Sequence, residues 1–210
     1  MKKEKVLAIT LCSSQQGGWI HPDQVQIQIA MTHDPHYQVN IAMLKDYRGF
    51  DFARNTAMDL ARKAGADVLI IFDNDSVPAI SPLEVLRQAK PDMAVIGLPA
   101  AAVQGGGFHF TAQNGHLVDD HFLECEYVGG GCLIIRSEIW RKIPAPWFRW
   151  ETTGELLAPK PNACEDYYFC SLVRRHGYKV YSHNLPLAHY KSVDVSALAM
   201  QSLAKAATQF

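Results

Sequence analysis

The chain opens with an unbroken apolar run, "KVLAITLC" (residues 5–12), which predicts a strand covered on both faces. "QVQIQIAM" (24–31) fits both a strict alternation and a helix, and the pattern leaves the two open. "YQVNIAMLKD" (37–46) predicts a second strand. In "DFARNTAMDLARKAG" (51–65), Phe52, Ala53, Ala57, Leu60, Ala61 and Ala64 recur at helical spacing, and Gly65 closes the helix. "ADVLIIF" (66–72) is again continuous and apolar, a buried strand. "SPLEVLRQAK" begins with Ser81 as N-cap and Pro82 in the first turn, a helix start.

"DMAVIGLPA" (92–100) predicts another strand, followed by a Gly-rich, polar stretch containing "GGGFHF" and "NGHLVDD". "CEYVGGGCLIIRSEIWRKI" (125–143) reads as strand, glycine turn, strand and short helix. "PAPWFRWETTGELLAPKPNA" (144–163), rich in proline and aromatics, predicts a long loop. "CEDYYFCSLVRRHG" (164–177) is a helix closed by Gly177, and "YKVYSH" (178–183) a strand. The tail, "VSALAMQSLAKAATQF" (195–210), predicts a last helix with Val195, Leu198, Ala199 and Leu203 on one face; its sparse basic charge favours docking on the protein's own core over docking on a partner or a membrane. Strands alternating with helices give an α/β fold around a mostly parallel sheet, above all in the first half. Ligands of such sheets collect at the carboxyl ends of the strands.

The whole-chain properties narrow the function classes. At 210 residues and 48% hydrophobic, the chain suits one domain with a sizeable core. Twenty basic against 21 acidic residues leave a net charge of −1, which gives no push toward nucleic acid or anionic lipid. The apolar run at the N-terminus is too short for a signal peptide or a span, and no stretch elsewhere is long enough to cross a membrane. Five cysteines without paired spacing fit a reducing compartment. A soluble, cytoplasmic protein with no integral membrane contact is the expectation.

"VLIIFDNDSVPAI" (68–80) carries the chemistry. Asp73 and Asp75 flank one residue at the tip of a buried strand, and two such carboxylates call for a positive partner. A solvated turn is the plain reading, since Asp and Asn are ordinary turn residues. An EF-hand calcium loop fails, because Pro78 stands where its glycine belongs and no Glu holds the twelfth position. A haloacid-dehalogenase-type phosphatase with Asp73 as nucleophile is an alternative, although about seventy residues precede the motif and the one Asp-Asp pair, Asp119-Asp120, follows no apolar strand. The third reading is a nucleotide-sugar site, in which a divalent metal lies between carboxylate and diphosphate.

Three stretches in order resemble the glycosyltransferases of the GT-A fold, of the family-2-like kind. "ARNTAMDLARKAGADVLIIFDNDSVP" resembles their helix, strand and DXD unit, "VGGGCLIIRSEIWRKI" their glycine turn and helix, and "CEDYYFCSLVRRHGYKVYSHNLPLAH" their Glu-Asp helix, strand and metal-binding His. The resemblance implies a single GT-A-like domain. Its nucleotide-binding half covers about residues 1–100, its acceptor and catalytic half about 101–192, and a C-terminal helix 193–210. It implies that Asp75, Asp73 and His189 serve a Mn²⁺ or Mg²⁺ ion, with Asp73 reaching the ribose or a metal-bound water. Arg54, Asn55, Ser13 and Asp73 would contact the donor, and Gly129, Gly130 and Gly131 would let the backbone approach its sugar.

The family pattern puts the catalytic base at Asp166, with Glu165 assisting, as an inverting transferase needs a carboxylate to take the acceptor's proton, while retaining GT-A enzymes share much of this framework and leave the stereochemistry open. The helix dipole gives a plain alternative reason for two acidic residues at that helix start. Trp147, just before a loop of about 149–164, and Trp150, on it, would pack in the core or a lid, or stack on the acceptor. The loop "SSQQGGWIHPD" departs from the usual family opening. The expected reaction moves a sugar from a UDP- or GDP-sugar to a hydroxyl on a saccharide, a protein or a modified nucleobase. A non-catalytic nucleotide- or glycan-binding module on the same scaffold is the further alternative.

Overall fold

The computed structural model of the protein describes residues 3–12, 19–45, 49–104, 107–153 and 160–190. The predicted C-terminal helix, Ser13 and the middle of the 149–164 loop lie outside these residues. An eight-stranded sheet runs in the order β2-β1-β3-β12-β5-β15-β10-β9. Its strands are β1 (Glu4–Cys12), β2 (Tyr37–Lys45), β3 (Val68–Asp73), β5 (Val95–Gly97), β9 (His116–Leu117), β10 (Phe122–Cys125), β12 (Cys132–Arg136) and β15 (Val180–His183). Small two-stranded ribbons are added by β4 (Ser76–Pro78) with β16 (Leu187–His189), β6 (Ala101–Gln104) with β7 (Gly107–Phe110), β8 (Ala112–Gln113) with β11 (Tyr127–Val128), and β13 (Glu151–Thr153) with β14 (Lys160–Ala163). The helices are α1 (Pro22–Thr32), α2 (Phe50–Ala64), α3 (Pro82–Gln88), α4 (Glu138–Lys142) and α5 (Glu165–Arg175).

The sheet is mixed. Strands β2, β1 and β3 are parallel, as the alternation in the first half predicts, and β5 is parallel to β15. Strand β12 enters antiparallel between β3 and β5. It starts from the glycine turn beside the carboxyl end of β3, where Asp73 N–H donates to the Gly131 carbonyl at 3.0 Å, and so must run back down the sheet. Apolar runs of this kind specify burial on both faces but not strand direction.

Period-two alternation divides β3 between two cores. Leu69 and Ile71 pack with Ala57 and Met58 of α2, Ile139 of α4 and Phe169 and Val173 of α5. Val68, Ile70 and Phe72 pack on the other face with Met31 of α1 and Leu83, Val85 and Leu86 of α3. Helix α2 ends where Gly65 takes a left-handed conformation at φ 62°, and α3 starts with Ser81 Oγ accepting from Leu83 N–H.

The ambiguous segment is helical, with an inverted pattern. Helix α1 buries Gln24, Gln28 and Met31 while Val25 and Ile29 are exposed. Its glutamines have polar work inside: Gln28 Nε2 donates to Thr10 Oγ1 at 2.6 Å, and Gln24 Nε2 to the Asp73 carbonyl at 3.3 Å. The segment expected as one long loop contains the β13–β14 ribbon, with a register shift between Glu151 and Thr152.

Candidate active site

The carboxyl end of β3 is held from both sides. Asn74 is buried; its Nδ2 donates to the Trp19 carbonyl at 2.7 Å, and its own carbonyl accepts from His21 N–H at 3.1 Å. Beyond it β4 pairs antiparallel with β16, which sets Ser76 opposite His189. That register brings His189 Nε2 to 3.1 Å from Asp75 Oδ2, 114 residues away in sequence. Tyr190 N–H donates to the Asp75 carbonyl at 2.7 Å, and the Tyr190 ring stacks on His21 with centroids 4.1 Å apart.

Asp73 faces the other way, toward Arg54 from α2. Arg54 Nη2 lies 2.9 Å from Asp73 Oδ1 and 3.2 Å from Oδ2, and also donates to the Gly130 carbonyl at 3.2 Å. Its Nη1 bonds to Glu165 Oε1 at the start of α5. The guanidinium is 2% exposed and lies near the rings of Phe50 and Phe148, at 5.4 and 6.0 Å. Burial opposes its charge, but Asp73, Glu165 and Asp166 outweigh burial and hold it above its ordinary value. Burial raises the Asp73 carboxyl above the usual range, with Asp75 adding to it and Arg54 opposing. Glu165 is raised in the same way, by burial first and then by Asp166, against Arg54. The two aspartates thus have separate partners: the Arg54 guanidinium on Asp73 and the His189 imidazole on Asp75.

Asp166 follows Glu165 in the first turn of α5 and turns to a different set of partners. Its Oδ2 accepts from the Tyr127 hydroxyl at 2.9 Å and from Gly130 N–H at 3.0 Å, while its Oδ1 accepts from Tyr167 N–H at 2.9 Å. Gly130 therefore touches both halves of the site, its carbonyl on Arg54 and its N–H on Asp166. It has no room for a side chain, since a Cβ there would lie 2.2 Å from Arg54 Nη2. A Cβ at Gly129 would meet Thr111 at 2.6 Å, and one at Gly131 would meet Ser76 Oγ at 3.0 Å. The space next to these glycines is filled by the protein's own side chains.

The remaining candidates separate. Asn55 anchors a loop: its Nδ2 donates to the carbonyls of Asp51 and Phe148, and its Oδ1 accepts from the N–H groups of Trp147 and Phe148. Trp147 is buried, with its ring N–H on the Ile143 carbonyl at 2.8 Å, whereas Trp150 is exposed. Asp119 Oδ1 accepts from His121 and Phe122 N–H, and its other oxygen pairs with Lys90. Among the described residues, no three His, Cys, Asp or Glu side chains gather as a metal cage. Asp75, in the turn between β3 and β4, and His189, on β16, form a two-member pair of a carboxylate and an imidazole that could hold an ion taking its other ligands from phosphate and water.

Sequence reasoning did not single out Tyr127, Gln24, Gln28 or the His21–Tyr190 stack. Tyr127 stands two residues before the glycine turn, a proximity that could have marked it. The glutamines gave only their spacing of four.

No family model matches the chain, and no curated protein matches it. Among solved structures it is similar to A197 from STIV, with a TM-score of 0.60 and 18% identity over 91% of this chain and 86% of that one. It is also similar to GalNAc-T7 with UDP, GalNAc and Mn²⁺, with a TM-score of 0.49 and 12% identity over 90% of this chain. The chain spans 44% of that structure's length. A third is CMP:2-keto-3-deoxy-manno-octonic acid synthetase complexed with CTP, at a TM-score of 0.49, 12% identity, and 99% and 100% coverage. The likeness to A197 establishes the fold. Among the described residues no helix is long and apolar enough to cross a membrane.

Proposed function

We propose that this protein is a metal-dependent glycosyltransferase that moves a sugar from a nucleotide-sugar donor to a hydroxyl acceptor. The observation that carries this reading is the gathering, from three separate stretches of sequence, of Asp73, Glu165 and Asp166 around Arg54 and Gly130 and of the Asp75–His189 contact at the same strand end. They meet at the carboxyl end of β3, where open α/β sheets bind their ligands. The order of the three stretches, which resembles that of GT-A glycosyltransferases, supports the same reading.

In this reading Asp75 and His189 would hold a Mn²⁺ or Mg²⁺ ion. When bound, the ion supplies Lewis-acid stabilisation to the charge that grows on the departing nucleoside diphosphate. Asp73, with both oxygens toward Arg54, keeps the guanidinium charged and in register and would reach the donor's ribose or a water on the ion. Asp166 takes the proton of the acceptor hydroxyl, and Glu165 holds Arg54 from the side opposite Asp73. Asn55 secures the Trp147–Phe148 segment, which leads to Trp150 and the β13–β14 ribbon over the acceptor side. UDP- or GDP-linked sugars are the donors we expect.

The phosphatase alternative needs Asp73 as an unencumbered nucleophile, yet both its oxygens are within hydrogen-bonding distance of Arg54. It also needs a second acidic pair, and Asp119 is occupied in its own turn and with Lys90.

A thermal-shift panel of UDP, GDP, CDP, ADP and dTDP, each with and without Mn²⁺, tests the reading. A nucleotide at a hundred times its dissociation constant stabilises the fold by about 2.7 kcal/mol. One nucleotide acting only with Mn²⁺ supports the site, and Asp75→Ala should abolish that shift. Asp166→Asn should keep the shift and lose sugar transfer. No shift with any nucleotide sinks the proposal.

A further inference from the structure

We propose that Tyr127 is a positioning residue that locks the Asp166 carboxylate and leaves Oδ1 as the atom that takes the acceptor's proton. The inference rests on the transferase reading above and extends it to a residue outside the resembling motifs.

An ionised carboxylate offers about four lone-pair sites, two on each oxygen. On Asp166, Oδ2 spends both, on the Tyr127 hydroxyl at 2.9 Å and Gly130 N–H at 3.0 Å. Oδ1 spends one, on Tyr167 N–H at 2.9 Å. The acceptor capacity left over is on Oδ1. Of the donors on Oδ2, only the phenol can rotate away, and its ring is braced against Tyr167 with centroids 5.7 Å apart. Burial and the facing carboxylate raise the Tyr127 phenol well above its ordinary value, so it stays a donor throughout the working range. In the step itself the acceptor oxygen forms its bond to the anomeric carbon. The bond from that carbon to the diphosphate oxygen breaks, and its electron pair leaves on the diphosphate. The hydroxyl proton goes to Asp166 Oδ1.

The charged and titratable groups around Asp166 are Arg54 from α2, Tyr127 from β11, Cys164 and Glu165 at the start of α5, and Cys170 one turn further along it, whose thiol burial holds neutral. Burial and Asp166 push the Cys164 thiol up to about 11, so it is neutral beside the carboxylate. Removing a hydrogen bond to the charged form of a carboxylate makes it a stronger base and moves its titration upward, by about one pH unit for one strong bond. A loss of packing alone does not move a titration.

The test follows nucleotide release from UDP-glucose, UDP-galactose, UDP-N-acetylglucosamine and GDP-mannose with Mn²⁺ from about pH 3.5, below the ordinary carboxylate range, to about pH 9. It compares wild type, Asp166→Asn and Tyr127→Phe. Tyr127→Phe should shift the acid limb of kcat upward by about one pH unit and cut the rate on that limb by about tenfold, with donor KM unchanged. 3,5-Difluorotyrosine at position 127, a stronger donor of the same shape, should shift the limb downward; it also serves if Tyr127→Phe fails to fold. A uniform loss at every pH, or no change with either replacement, overturns the role of Tyr127 alone. No turnover of any donor by the wild type overturns the transferase reading and this inference with it. Retained turnover in Asp166→Asn overturns the base and leaves the transferase reading standing.

Discussion

Replacing Arg54 by Met removes the cation that the buried Glu165 and the partly buried Asp73 share. Arg54 is 2% exposed at its side chain and Glu165 6%, and both oxygens of Asp73 are turned to the guanidinium. Removing one member of a buried ion pair costs about 3–5 kcal/mol, chiefly because the remaining charge is stranded. For a chain of this size that corresponds to a fall in Tm of about 6–20 °C. The cost should depend on pH, with a definite sign. Asp73 and Glu165 are raised already, and without Arg54 they rise further, so the folded state binds protons that the unfolded chain has released. Stability then increases as pH falls toward the ordinary carboxylate range near 4 and is lost as pH rises through the folded values. Urea unfolding of both proteins at pH 7.5 and 5.5 reads this directly: the gap should be largest at 7.5 and clearly smaller at 5.5. Arg54→Met combined with Glu165→Met and Asp73→Asn should recover most of the loss, since no charge is stranded. A gap under about 1 kcal/mol at pH 7.5, or one that ignores pH, refutes the account of Arg54 as the electrostatic hub.

Three more outcomes follow from the same geometry. Gly130→Ala puts a Cβ 2.2 Å from Arg54 Nη2 and should cost about 1–3 kcal/mol in urea unfolding, an overpacking loss that Arg54→Met relieves in the double variant. Asn55→Ala strands the N–H groups of Trp147 and Phe148 and should cost about 1–3 kcal/mol. It should also speed proteolytic cleavage at residues 147–153, and unchanged cleavage would count against the anchor. His183 is fully buried, accepts from Leu185 N–H at Nδ1 and faces Gln88 at Nε2, and burial, then His121, lowers its titration. Its contribution is therefore complete above about pH 6.5 and lost as pH falls through its lower folded value, so Tm should drop between pH 7 and 5. His183→Gln should flatten that slope, and a slope identical to wild type would exclude His183 as its source.

The sequence by itself determined the elements whose physics is local. The apolar runs of β1 and β3, the alanine stripe and Gly65 stop of α2, and the Ser81-Pro82 start of α3 each follow from burial, spacing or capping within about fifteen residues. The acidic residues of the site were legible too, because carboxylates at the tip of an apolar strand and at a helix start are conspicuous. What only the tertiary structure decided are the pairings. The antiparallel insertion of β12, the inverted face of α1, the burial of Trp147 and the choice of partner for each aspartate depend on contacts made across the sheet. Arg54 lies 19 residues from Asp73 and 111 from Glu165, and Tyr127 lies 39 from Asp166. A side chain's period reports which way it faces along its own element. It carries no information on which charge another element will bring to meet it.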